Sequence, residues 1–246
     1  MGQVEPARGV VHVHSAFSAD GLLSIDEIAH RCIERGLSFA ALTDHAEDVD
    51  QAAMHRLVAA CESRSRDGFV LIPGLEHRLS ERVHVLALGQ KRLLDAPGVV
   101  RTLEAAAGAG CMLIASHCAI DSDIPPRVLE ILSAVEIWNV SRHTRFLPAR
   151  GGLAAYREWS RAYPNLLAIG GLDMHSGGEW GCEIVLERNC EITQETVLSE
   201  LRAGRFRTRG RFASFDSRPA GGVRDAIFAV GGVLAGVREA RDRMLR

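Results

Sequence analysis

Short β-branched runs alternate with longer stretches of helical period along most of this chain, and that alternation limits the fold more than any single residue does. VVHVH (10–14), FAALTD (39–44), FVLIPGLE (69–76), RVHVLALG (82–89), CMLIAS (111–116), AVEIWN (134–139) and LLAIGG (166–171) read as strands. SIDEIAHRCIERG (24–36) reads as a helix, with Ser24 as N-cap, Glu27 completing a capping box and Gly36 as the stop. Helical pattern recurs at 50–66, 99–110, after the Pro125–Pro126 pair, at 151–163 and at 193–203. The third and fourth strands are separated by only a short link and read as neighbours joined by a hairpin or a tight loop. With 246 residues and 47% hydrophobic content, the chain can bury one large core. No repeat or linker divides it. The expected organisation is a single domain over 1–246, its main unit at about 10–210 and a C-terminal helical extension at 211–246. Buried strands alternating with helices argue for a parallel-rich closed sheet, a TIM-type barrel or a variant of one.

On that scaffold the polar residues fall in a pattern. Side chains two apart on a strand share a face, so His12 and His14 should project together, with Val11 and Val13 turned the other way. Asp20 lies in the loop after that strand. Asp44 and His45 close the second strand, Glu76 ends the third, and His84 lies within the fourth. His117 follows the fifth, and Asp173 and His175 follow LLAIGG. Strand C-termini share one rim in a parallel barrel, the rim where active sites are built. One histidine beside a strand is ordinary packing. Six histidines, two aspartates and a glutamate on one rim are not, because buried carboxylates and imidazoles at that density need cations. Imidazole and carboxylate suit zinc, manganese or iron, and nine donors suit two or three divalent ions, with Glu76 able to bridge.

The pieces HVHSAFSADG, LTDH, GLE, HVLALG, SH and GLDMH, in this order, resemble the PHP (polymerase and histidinol phosphatase) family of phosphoesterases over roughly residues 10–210. The resemblance implies a distorted (β/α)7 barrel of the TIM-like PHP type with a trinuclear site. One metal would be held by His12, His14, Glu76 and Asp173. A second would be held by Glu76, His84 and His117, and a third by Asp20, His45 and His175. The fifth-strand motif is SHCAI, where many relatives carry proline after the histidine. The expected reaction is hydrolysis of a phosphate ester by a metal-bound hydroxide. Asp20, His45, Arg142 and His143 are the candidates for direct catalytic or substrate contact, Arg because its fork suits phosphate oxygens. A loop salt bridge is the structural reading of Arg142 and His143.

The expected substrate is a small phosphorylated molecule: a nucleotide, a nucleoside bisphosphate or a histidinol-phosphate-like ester. Alternatives are a 5′–3′ exonuclease on short RNA or DNA and a non-catalytic accessory module. The arginine-rich LRAGRFRTRGRF (201–212) favours the exonuclease, and a formal net charge of −2 does not. An accessory module tends to lose ligands, and all nine donors are present. An amidohydrolase would need a carboxylated lysine on a middle strand, and the only lysine, Lys91, reads as loop. No G-x-S-x-G elbow or Walker A loop supports other chemistry. The arginine run itself reads as solvated helix ends and turns. Asp44 is read as an acceptor orienting a metal-bound histidine, Glu136 and Asn139 as structural or supporting, and His77 as structural. His30 and His55 read as helix-surface residues, and Cys118 as a packed thiol. Six cysteines without a C-x-x-C pair, and no apolar signal segment, give reduced thiols and a cytoplasmic location as the expectation. The apolar AIFAVGGVLAGV run is too short to span a bilayer and reads as a packed helix, so no membrane partner is expected. Oligomeric state is not readable from the sequence.

Overall fold

The structure is a computed structural model that describes residues 6–66, 68–118, 122–188 and 190–219. Twelve strands and six α-helices lie among the described residues. In chain order they begin β1 (Arg8–Val13), α1 (Ile25–Glu34), β2 (Phe39–Leu42), β3 (Asp44–His45), α2 (Gln51–Arg64), β4 (Val70–Ile72), β5 (Gly74–Arg78) and β6 (His84–Leu88). They continue α3 (Val99–Gly108), β7 (Met112–Ser116), α4 (Pro126–Ile131), β8 (Ala134–Asn139), α5 (Arg150–Ala162) and β9 (Leu167–Gly171). Last come β10 (Cys182–Leu186), α6 (Gln194–Arg202), β11 (Phe206–Gly210) and β12 (Ser214–Asp216).

The local rules that set the elements hold at the helix ends. Ser24 caps α1: its hydroxyl accepts from the Glu27 amide, and the Glu27 carboxylate accepts from the Ser24 amide at 2.9 Å. Ile25, Ile28, Ala29 and Cys32 form the buried stripe. Gly36, at φ +66°, ends the turn in a conformation that other residues adopt at a cost.

Strands form two six-stranded sheets, ordered β12-β11-β10-β1-β2-β4 and β3-β5-β6-β7-β8-β9. Both are mixed. β1–β2, β2–β4, β3–β5, β7–β8 and β8–β9 are parallel, whereas β6 is antiparallel to both β5 and β7. The expected hairpin of the third and fourth strands is therefore present. The chain has an α/β fold, and its assigned sheets are two rather than one closed cylinder. They touch where the end of β1 meets the residues after β9: the Leu172 amide donates to the Val11 carbonyl at 3.0 Å and the His14 amide to the Met174 carbonyl at 2.9 Å.

Two apolar clusters sandwich the strands. One joins Val11, Phe39, Ile72, Leu88, Ile114 and Ile169 to Val197, Leu198 and Leu201 of α6. The other packs the opposite strand faces against α1 to α5. Val11 and Val13 fall in different clusters, contrary to simple alternation. The β1–β2 register shifts between Val10 and Val13, and His12 sits at φ +64°, so the strand turns over between the two valines.

The arginine run is helix end and turn only in part: Arg202 closes α6, and a turn follows at Ala203 and Gly204. Its centre is β11, with Phe206 and Thr208 buried while Arg207 and Arg209 face outward and pair with Asp216 and Glu183. Of the expected helical extension at 211–246, residues 214–216 form β12. Residues 220–246, with AIFAVGGVLAGV, lie outside the described residues.

Candidate metal centre

The nine donors converge. Glu76, on β5 and 1% exposed, is the hub. Its Oε1 lies 3.3 Å from Nε2 of His12, 3.1 Å from Nδ1 of His84 and 3.4 Å from Nε2 of His117. Its Oε2 lies 3.4 Å from Nε2 of His14 and 3.1 Å from Nδ1 of His45. Asp173 faces the same centre, 3.2 Å from Nε2 of His12, 3.5 Å from that of His14 and 3.6 Å from that of His117. Asp20, at the exposed side, lies 3.4 Å from His45 and 3.3 Å from His175. His84 reaches the rim differently from the expectation: it is the first residue of antiparallel β6, so it arrives from a strand's N-terminal end.

The contacts at Nε2 of His12, His14 and His117 and at Nδ1 of His84 are too long or too poorly aligned to be hydrogen bonds. Nε2 of His12, His14 and His117 and Nδ1 of His84 are buried with no hydrogen-bond partner. An orphaned buried polar atom is costly, and four in one cluster call for a shared partner. A tetrahedral ion with bonds of ~2.0–2.1 Å sets its ligand atoms about 3.3 Å apart. The observed separations match that edge. Four groups have donor atoms close enough to hold an ion: His14, Asp20, His45 and His175; His12, His117 and Asp173; His12, His14 and Glu76; and Glu76, His84 and His117. The residues therefore fit divalent cations.

A second layer holds the donors in place. Glu136, fully buried on β8, lies 2.8 Å from Nδ1 of His12, and its other oxygen accepts from the His117 amide at 3.2 Å and from Nδ2 of Asn139 at 2.9 Å. Asn139 also donates to Asp173 at 3.3 Å. Asp44 contacts no imidazole directly. It accepts from the Ser15 amide at 2.7 Å and from the hydroxyls of Ser15 at 2.8 Å and Ser18 at 2.9 Å. Ser18 then meets Nδ1 of His14 at 3.3 Å and accepts from the His45 amide at 2.9 Å. Sequence reasoning missed this serine relay, although S-x-x-S directly after H-x-H carried it.

Among the described residues, the only non-glycine positions with positive φ are His12 (+64°), His117 (+48°) and Asp173 (+52°). Each is a costly conformation, and all three belong to the cluster.

Charge follows burial. Burial pushes the Glu76 and Asp173 carboxyls up, but the surrounding imidazoles, His12 foremost, outweigh it and hold both far below the usual carboxylate range. Burial lowers His14, and it lowers His117 to about 4 with help from His12. Burial also pulls His12 down, yet Glu136, Asp173 and Glu76 together raise it well above its ordinary value.

Other candidates fall as follows. Arg142, on the loop leaving β8 and largely exposed, has Nε 3.4 Å from Asp173, a loop-to-rim ion pair. His143 accepts from the Asn139 amide at Nδ1, 3.3 Å. His77 is buried against Gln90 at 2.8 Å. His30 and His55 are exposed on helices, beside Glu34 and Gln51. Cys118 is buried, its thiol donating to the Ser116 carbonyl at 3.3 Å, and burial pushes its pKa up. The six cysteines are free, five of them buried.

An α/β scaffold with a rim of imidazoles and carboxylates spaced for cations defines a class of protein with a candidate metal centre. The PHP domain family profile matches residues 11–167, and the chain belongs to that family. Among solved structures, a two-domain Bacteroides vulgatus protein described as containing a PHP-like metal-dependent phosphoesterase is 18% identical, with a TM-score of 0.62. The match covers 85% of this chain and 66% of that one, so the chain spans a little under two thirds of its length. A Bifidobacterium adolescentis protein described as a metal-dependent phosphoesterase is 17% identical, with a TM-score of 0.51 over 81% of this chain and 97% of that one. A Chromobacterium violaceum protein described as an amidohydrolase with bound sulfate is 16% identical, with a TM-score of 0.50 over 80% and 96%. At these identities the likeness is one of fold. No curated protein matches the chain significantly. No helix among the described residues is long and apolar enough to cross a membrane.

Proposed function

We propose that this chain is a metal-dependent phosphoesterase that hydrolyses a phosphate ester of a small molecule, in the class of a nucleotide, a nucleoside bisphosphate or a histidinol-phosphate-like ester. The observation that carries this is Glu76: five imidazoles lie within 3.4 Å of one buried carboxylate, and four of them are turned inward with a nitrogen that nothing else satisfies. The proposed centre takes two or three ions of zinc, manganese or iron. His12, His14, Glu76 and Asp173 serve one ion, Glu76, His84 and His117 a second, and Asp20, His45 and His175 a third. The bonds joining β9 to β1 favour a seven-stranded (β/α)7 arrangement around this rim.

When bound, divalent cations lower the pKa of water and neutralise charge on a phosphoryl group. The chain's own groups do the rest. Arg142, beside Asp173, and His143, beside Asn139, are the proposed phosphate contacts, Arg142 because its guanidinium is exposed and fork-shaped. Asp20 and His45, at the solvent-facing side, are proposed to handle the proton that the leaving oxygen takes. Glu136 sets the tautomer of His12 by accepting at Nδ1, which leaves Nε2 free to face the centre. A cytoplasmic enzyme with reduced thiols is the proposed setting.

The test is metal analysis of the purified protein beside a panel of small phosphate esters and a labelled oligonucleotide. Two or three ions per chain and release from small esters are expected. Release from the oligonucleotide alone replaces the substrate reading with the exonuclease one, and absence of stoichiometric metal removes both.

A further inference from the structure

Away from the donor cluster, on the flank of β1 and β10, lies a cavity of about 640 Å³. That is within the range of small-molecule sites. Its charge is lopsided. Arg8, Arg35, Arg145, Arg209 and Arg211 line it against a single carboxylate, Glu183, in a chain whose acidic residues outnumber its basic ones 31 to 29. Glu183 is already claimed by Arg8 at 2.9 Å and Arg209 at 2.7 Å. Arg145 and Arg211 have no carboxylate partner among the described residues, and both are exposed.

The rest of the wall is apolar and aromatic. Val10, Leu37 and Cys182 are buried beneath it. The Arg35 guanidinium stacks 4.0 Å above the Trp180 ring, and Trp180 is fixed by donating Nε1–H to the Gly177 carbonyl at 2.9 Å. Of four large hydrophobic residues exposed among those described, two stand at this place: Phe146 and Phe212, edge to face at 5.6 Å, with Arg211 over Phe212 at 5.1 Å. Exposed aromatic rings cost free energy unless something covers them. Aromatic faces beside unpaired guanidinium forks match a planar base joined to a phosphate.

We infer that this cavity is a second binding site, separate from the donor cluster, for a nucleoside phosphate, taken either as a free nucleotide or as the end of a single strand. The base stacks on Phe146 and Trp180, and the phosphate meets Arg145 and Arg211. The site shares two loops with the rim: one runs from His175 to Trp180, and the other carries both Arg142 and Arg145.

The probe is AMP added to the full chain with its metals, read in stopped flow before turnover as quenching of Trp180, with Trp180→Phe as the blank. Arg145→Glu/Arg211→Glu is expected to weaken binding at least tenfold and remove its salt dependence. Phe146→Ala is expected to weaken it about tenfold. Hydrolysis of p-nitrophenyl phosphate should stay within twofold in both. If the double variant fails to fold, Arg145→Gln must still weaken binding at least threefold. Displacement by a five-nucleotide single strand more tightly than by AMP assigns a strand end, and the reverse assigns a free nucleotide; either supports the site. Unchanged binding in the variants overturns it. So does inorganic phosphate competing as well as AMP, which leaves an anion patch with no base recognition.

Discussion

Oε1 of Glu136 lies 2.8 Å from Nδ1 of His12, with both side chains fully buried, and the same carboxylate's other oxygen accepts from the His117 amide. One side chain on β8 thus steadies two of the three residues held at positive φ. Burial pushes the Glu136 carboxyl up, but the His12 imidazole outweighs this and keeps it below the usual range. Glu136→Leu should lower metal affinity about 10- to 100-fold, the usual cost of losing such a partner. Glu136→Gln, which keeps an acceptor, should lose less. Competition with a fluorescent chelator measures both. Equal affinity in Glu136→Leu and the parent would refute the role.

Gly171 faces the same carboxylate. A Cβ there would lie 1.9 Å from Oε1 of Glu136 and 3.0 Å from Cβ of His12. Gly171→Ala should cost about 1–3 kcal/mol by overpacking, seen as a lower Tm. It should also reduce bound metal, because Glu136 must swing away. A variant with full metal content and parental Tm would show that the site tolerates the shift.

The sequence carried most of this site before any geometry. The nine donors lie in one cluster, most of them at or just after a strand end, where an apolar run stops, although Glu76 sits in the middle of β5 rather than at its end and Asp20 lies well into the loop after β1. What the sequence did not carry were departures from regular period. His12 at φ +64° turns β1 over, so Val11 and Val13 part company. β11 hid because its alternation, Phe206 and Thr208 in, Arg207 and Arg209 out, was masked by the density of arginines.

Asp44 accepts three hydrogen bonds from Ser15 and Ser18 and is fully buried. Asp44→Ala strands those donors at about 1–3 kcal/mol each, less what water recovers. The expected result is a lower Tm and weakened metal binding by His14 and His45, which Ser18 touches. Asp44→Asn should recover part of both. Thermal unfolding with and without added Mn²⁺ separates the two effects.

In chelated protein, the hydrogen bond to Glu76, aided by Asp20 and opposed by burial, raises His45 from 6.5 to about 9. A folded-state pKa above the unfolded one contributes stability that is complete below pH 6.5 and lost as pH climbs through 9. Cation binding needs the neutral ring, so divalent-ion affinity should rise over that same interval. Mn²⁺ titrations at steps across it should show this, and His45→Gln should flatten the dependence. An already flat profile in the parent protein would refute the assignment.

The reversed direction of β6 has a practical corollary. Because β5 carries Glu76 and β6 begins at His84, the turn between them, closed by the Leu79 and Ser80 amides on the Val83 carbonyl, joins two strands of the donor cluster. New loop sequence grafted there would start one residue from His84 while leaving every donor's supporting strand intact, which makes that turn a place to probe access to the cluster by insertion.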